Sequence, residues 1–270
     1  MLKKVFKYDF LAIARVAVPL LSVVLGLGVL NCGLDAILCA KPDIPDRFLW
    51  VTWIATSLFV TSYIAIAVLD VIVAIQIYSR YYKSVFTDEG YLTLVLPVST
   101  HRLLLGKFLA SSLWIVISAA ATVMSIVVSL IPIMVSMGPE NTATVVASIL
   151  RMFTESIEEL GVLNFVIQII LSVTVLIENI LIVFAGITAG ATVMRKHRVI
   201  GAVIFVYIAN TVQSVMHSII QGVLTPLILN GDVMMFYTVS NIVQFVIAAV
   251  IAVVSYFVTY KIVHRGVNLE

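Results

Sequence analysis

The sequence predicts an all-α, polytopic membrane protein with six transmembrane helices and both termini on the cytoplasmic side. Three observations predict it. Of 270 residues, 62% are hydrophobic and only 11% charged, with a mean hydropathy of +1.16; a soluble domain carries about 25% charged residues to face water. The apolar residues gather into six runs, each long enough for the roughly 20 residues that cross a bilayer core. Lys and Arg divide unevenly between the loops, thirteen on one side and three on the other. Backbone groups in lipid must be satisfied within the protein, which restricts spanning segments to helices and closed barrels. Runs this long are helical.

The first run covers about 11–30. Lys3, Lys4 and Lys7 precede it as in a signal peptide, but Asp9 and Arg15 interrupt its start and no small-residue cleavage site follows. It is read as a retained helix. The second run, about 48–78, is too long for a perpendicular span and predicts a tilt or a cytoplasmic projection. The third covers 108–135 with Pro132 near its outer end, the fourth 162–194, the fifth 199–223 and the sixth 239–263. Residues 224–237 contain Pro226, Asn230, Gly231 and Asp232 and read as a loop or a short re-entrant piece. With no evident repeat, low-complexity tract or soluble domain, residues 1–270 read as a single transmembrane domain.

Cytoplasmic loops of membrane proteins are enriched in Lys and Arg. With the N-terminus inside, only Lys41, Arg47 and Arg151 fall outside. The acids agree: Asp35, Asp43, Asp46, Glu140, Glu155, Glu158, Glu159 and Asp232 all fall on the outer side.

The loop between the second and third runs, Arg80 to Lys107, is the most informative stretch. Thr87 followed by Asp88 and Glu89 has the form of a helix N-cap with acids in the first turn, where the helix dipole favours them. Gly90 weakens that helix, Pro97 stops it, and Ser99 or Thr100 caps the next. Between these signals, residues 91–96 are apolar yet cytoplasmic. Such a segment buries itself in the membrane interface, against the bundle or in a partner.

Phe86-Thr-Asp-Glu-Gly-Tyr-Leu-Thr-Leu-Val-Leu-Pro-Val-Ser99, followed by Leu104-Leu-Gly-Lys107, resembles type-2 ABC exporter permeases of Gram-positive bacteria. Lys7-Tyr-Asp-Phe10, the small-residue stretch and basic turn from Gly190 to Arg198, and the ending Asn268-Leu-Glu270 are similar to the same family. The resemblance implies a membrane-spanning permease subunit in the bacterial cytoplasmic membrane, paired with itself or a sister permease and bound to a separate ABC ATPase subunit. By the same resemblance, Phe86, Glu89, Gly90, Tyr91, Leu94, Pro97 and Lys107 form the coupling loop that contacts the ATPase. No cofactor is then expected on this chain, because ATP and Mg belong to the partner. An apolar pathway with Met, Phe and a few amides suits an amphipathic peptide, antibiotic or lipid as the exported substrate.

The chain is not expected to bind ATP by a Walker A motif. Walker A needs a Gly five positions before its second Gly and Ser or Thr after the Lys; around Gly106-Lys107 those positions hold His101 and Phe108. It also lacks Gly-x-Ser-x-Gly and His-Glu-x-x-His, and is not expected to be an enzyme. His101, His197, His217 and His264 lack metal-ligand spacing. No basic stripe with interleaved aromatics suggests nucleic acid.

Two acids sit inside apolar runs, Asp70 and Glu178. Charge in the bilayer is costly, so each should face the bundle interior. They read either as one hydrogen-bond network with Asn179, Gln168, Asn210 or Gln213, or as the ion site of a stand-alone secondary transporter. A membrane scaffold or sensor is the remaining alternative. Gly186 and Gly190 form a GxxxG, which lets helix backbones approach closely, within this chain or at a dimer seam. Cys32 and Cys39 fall at the outer edge of the first run, either bridged or as free thiols.

Overall fold

The protein is described from a computed structural model, which covers residues 2–39, 49–87, 89–90, 99–136, 138–229 and 233–265. Six helices are long and apolar enough to cross a membrane, and no strand occurs among the described residues. In chain order the elements are α1 (Leu2–Cys39), α2 (Leu49–Phe86), α3 (Thr100–Ser129), the short α4 (Ile131–Ser136), α5 (Pro139–Val193), a 3-10 turn (Arg195–His197), α6 (Arg198–Leu229) and α7 (Val233–His264). Each spanning helix leaves large apolar side chains exposed; on α2, Trp53 is 75% and Ile64 60% exposed. A surface of this kind is solvated by lipid rather than water.

Several helices outrun the apolar segments that announce them, because their polar ends stay helical. α2 continues eight residues past Tyr78, to Phe86. The connector after the third span is itself helical: Pro139 opens α5, a position where its missing N–H costs nothing, and the helix runs on to a break at Gly161. Gly161 has φ 76° and ψ 147°, a conformation that favours glycine. The outer loop expected around Glu155 is thus a helix joined to the fourth span through one residue. Residues 224–229, part of the stretch read as a loop or a short re-entrant piece, also continue α6. Pro19 sits inside α1, which a membrane helix tolerates when neighbours satisfy the freed groups.

The chain divides into two compact units, and the divisions fall within helices. The first comprises Met1–Asp9, Tyr78–Ser112 and Phe153–Glu270; the second comprises Phe10–Ile77 and Leu113–Met152.

In the second unit, Ile13, Ala17 and Leu21 recur at helical spacing on α1 and pack with Val73, Ile77 and Trp114. Trp114 stacks on Phe10 with ring centroids 5.0 Å apart, and its indole N–H donates to the Phe10 carbonyl at 3.1 Å. α1 meets α3 closely at Gly28, where a Cβ would lie 2.8 Å from the Ser125 Cα. There the Ser125 hydroxyl donates to the Val24 carbonyl at 3.1 Å. Without a hydrophobic force between helices in lipid, small residues and polar pairs of this kind hold the bundle. Ser62 donates to Asn31, and the Tyr63 and Ser129 hydroxyls are 2.6 Å apart.

Cys32 and Cys39 are free thiols. Both lie on α1, where seven residues of helix separate their Cα atoms by about 10 Å, beyond disulfide reach.

Candidate functional site

The foot of the Arg80–Lys107 segment is built in the first unit around a buried cation. Lys107, 4% exposed, lies on α3. Its ammonium donates to Asp9 Oδ2 at 3.1 Å and to the Ser84 hydroxyl at 2.7 Å. Asp9 comes from the N-terminal turns of α1 and is 5% exposed. Its other oxygen, Oδ1, lies 3.3 Å from Arg80 Nε. That nitrogen is outside hydrogen-bonding geometry with any acceptor, so the contact is charge attraction rather than a hydrogen bond. Arg80 Nη1 in turn donates to Glu89 Oε2 at 2.6 Å. Two cations and two anions thus alternate as Lys107, Asp9, Arg80 and Glu89. A buried charge persists only when paired and hydrogen-bonded, and the inner members of this chain are both.

Why the chain folds this way locally is readable in its parts. Gly106 lets α3 approach α1 so closely that a Cβ there would lie 3.2 Å from the Val5 Cβ, which brings the next residue, Lys107, to Asp9. Tyr81 anchors the end of α2: it stacks on Phe184 at 3.8 Å with planes 7° apart, and its hydroxyl is 2.7 Å from the Thr188 hydroxyl. One turn on, Ser84 turns its hydroxyl to Lys107.

Of the seven coupling-loop residues expected from the resemblance, Tyr91, Leu94 and Pro97 lie outside the described residues, and the other four differ in position. Phe86 is 1% exposed and packs against Tyr81 and Tyr82, so it anchors the end of α2. Lys107 is internal. Glu89 is exposed, and Gly90 is buried with its N–H donating to the Thr87 carbonyl at 2.7 Å. A Cβ at Gly90 would lie 2.6 Å from the Val85 carbonyl carbon. Thr87 donates its hydroxyl back to the Lys83 carbonyl, closing α2. Ser99 stands at the N-cap position of α3, with its carbonyl accepting from the Leu103 N–H at 3.1 Å.

Asp9, Arg80 and Ser84 were not among the candidate site residues read from the sequence. One signal pointed to Asp9: it is an acid among the cations of the expected inner side.

The two intramembrane acids have separate partners rather than one shared network. Asp70, in the second unit, accepts from Ser118 at 3.0 Å and Thr122 at 2.8 Å, one hydroxyl to each oxygen. Glu178, in the first unit, is 0% exposed; its Oε1 lies 3.4 Å from His217 Nε2 and its Oε2 has no partner. Asn179 and Gln213 pair with each other at 3.3 Å. The GxxxG packs within the chain: a Cβ at Gly186 would lie 2.8 Å from the Val206 Cα, and one at Gly190 would lie 2.6 Å from the Ala202 Cα, both on α6. No cluster of three or more His, Cys, Asp or Glu able to hold a metal occurs among the described residues.

Six helices long and apolar enough to span a membrane, with large apolar side chains on their exposed surfaces, define a multi-pass helical membrane protein. No protein-family model, no curated protein and no solved structure matches the chain.

Proposed function

We propose that this chain is the membrane-spanning permease subunit of an ABC exporter, oriented with both termini in the cytoplasm of a bacterium. It works as a pair, with itself or a sister permease, and is driven by a separate ATPase that binds ATP and Mg. The observation that carries the reading is the charge chain from Lys107 to Glu89, taken with the sequence likeness of 86–99 to permease coupling loops. Glu89 is the exposed end of that chain, at the start of the loop, and Lys107 is its buried end, eight residues beyond Ser99. A force on Glu89 is passed to α2 through Arg80, and on to α1 and α3 through Asp9 and Lys107. Glu89 and the apolar segment 91–96 are the surface offered to the ATPase, while Phe86 and Lys107 hold the feet of the loop. The substrate this reading favours is an amphipathic peptide, antibiotic or lipid.

The test is capture of the ATPase from native membranes at equal expression. Interface anchors cost about 2 kcal/mol or more when truncated. Tyr91→Ala with Leu94→Ala should therefore weaken ATPase association about thirtyfold, while Glu155→Ala leaves it unchanged. Retention of the partner by the double variant overturns the assignment. Orientation is checked in a background without Cys32 and Cys39: cysteines at Thr154 and Lys196, both exposed, should label from opposite sides with an impermeant reagent.

A further inference from the structure

Within the second unit, α1 carries a buried stripe at helical spacing: Val24, Gly28, Asn31 and Asp35. Its first half is closed, with Gly28 against the Ser125 backbone and the Val24 carbonyl accepting from Ser125. Its second half is not. Asn31 is 0% exposed and its amide nitrogen has no partner; Asp35 is 4% exposed and its Oδ2 has none. Among the described residues, no cation pairs with Asp35.

The nearby hydroxyls are already committed. Tyr63 gives its proton to Ser129, whose own proton goes to the Ile126 carbonyl at 2.7 Å. Ser62 lies within bonding reach of both the Asn31 amide and the Phe59 carbonyl, but one hydroxyl carries one proton. When Ser62 donates to the amide oxygen, the bond to Phe59 is lost and the amide nitrogen stays unpartnered. A half-turn of the amide makes both bonds at once: its nitrogen donates to Ser62, and Ser62 donates to Phe59. The amide oxygen then takes the unpartnered position, so Asn31 and Asp35 present acceptors with no donor.

The two residues are one helical turn apart, a spacing that sets their Cβ atoms about 5–6 Å from each other. They do not hydrogen-bond one another, so a third body is needed to serve both. Water would satisfy the two acceptors but leave the charge, and a buried carboxylate persists only when its charge is paired. Amide and carboxylate oxygens suit hard cations, and one carboxylate balances one positive charge. We propose that Asn31 and Asp35 bind a single monovalent alkali cation beside Ser62, between α1 and α2. Asp35 stands one turn before the end of α1 at Cys39, at the end of the span rather than its middle. Asp70 is not part of the site, because each of its oxygens already holds a hydroxyl donor. The inference does not rest on the ATPase reading.

The test is equilibrium dialysis of the purified full chain in detergent against radioactive sodium, at fixed pH, with choline keeping ionic strength constant. Wild type should bind sodium saturably, and saturating sodium should raise its melting temperature, since a ligand of the folded state stabilises it. Asp35→Asn should weaken binding about tenfold or more, because the ion then lacks a counter-charge. Asp70→Asn should leave it unchanged. Asn31→Asp adds a second carboxylate and should shift the preference from sodium to calcium. No saturable sodium binding by wild type overturns the proposal, in favour of a neutral acid or a bridging water at Asp35. So does an equal loss in Asp35→Asn and Asp70→Asn. If Asp35→Asn fails to fold, Asn31→Asp decides, and an unchanged preference for sodium there overturns the site.

Discussion

Lys107 and Glu178 are both buried, ionisable side chains of the first unit, and they are satisfied in opposite ways. Lys107 has a carboxylate and a hydroxyl aimed at its ammonium, and a second cation shares the carboxylate. Glu178 has one long contact to an imidazole and an oxygen with no partner. Burial is the same; completeness is not. A charge enclosed by partners is structural, since every displacement breaks several contacts at once. Glu178, with one oxygen unpartnered, has fewer contacts to break when it is displaced.

That contrast orders the expected effects of substitution. Lys107→Met leaves Asp9 short of one of its two cations, and breaking a buried ion pair costs about 3 kcal/mol or more. Thermal unfolding in detergent should show this as the largest loss, with Lys83→Met on the exposed side of α2 as a near-neutral control. If both behave alike, the charge chain is not what holds the foot of the loop.

Gly190→Ala tests the closed end of the seam that Glu178 shares. The added methyl meets α6 backbone rather than a flexible side chain, and overpacking of this kind costs about 1–3 kcal/mol. Stability equal to wild type in the same melt would mean that α5 and α6 separate readily there.

Asp70→Asn should cost about 1 kcal/mol, the net value of a hydrogen bond. Asn retains one acceptor, and Thr122 has an alternative in the Ser118 carbonyl at 3.2 Å. A loss as large as that of Lys107→Met would place Asp70 with the fully enclosed charges.

Glu178→Gln is expected to be the mildest, within about 0.5 kcal/mol of wild type, since it keeps the side chain's shape where few contacts hold it. Assembly and much of the activity should survive. A melt as depressed as that of Lys107→Met would erase the contrast between the two sites.

The six spans and their order were legible because the bilayer is an undiscriminating solvent. It asks only for length and apolarity, and both are properties of contiguous residues. The GxxxG was legible too, since close approach needs only small side chains at one spacing. What hydropathy could not convey is how far a helix continues after its apolar stretch ends, as at 139–160, or past a proline, as through Pro226 at 224–229. There the backbone hydrogen bonds decide, and neither polar side chains nor one proline prevents them.

Sequence alone therefore determined that this is an all-helical membrane protein with six spans, a glycine seam and two intramembrane acids. Only the tertiary structure decided what each charge meets. Lys107 finds Asp9 across 98 residues and Glu178 finds His217 across 39, while Asp70 turns instead to two hydroxyls of α3. Hydropathy is summed along the chain, so local sequence contains it. Electrostatic pairing acts through space between helices, and no spacing along the chain encodes which faces will be brought together.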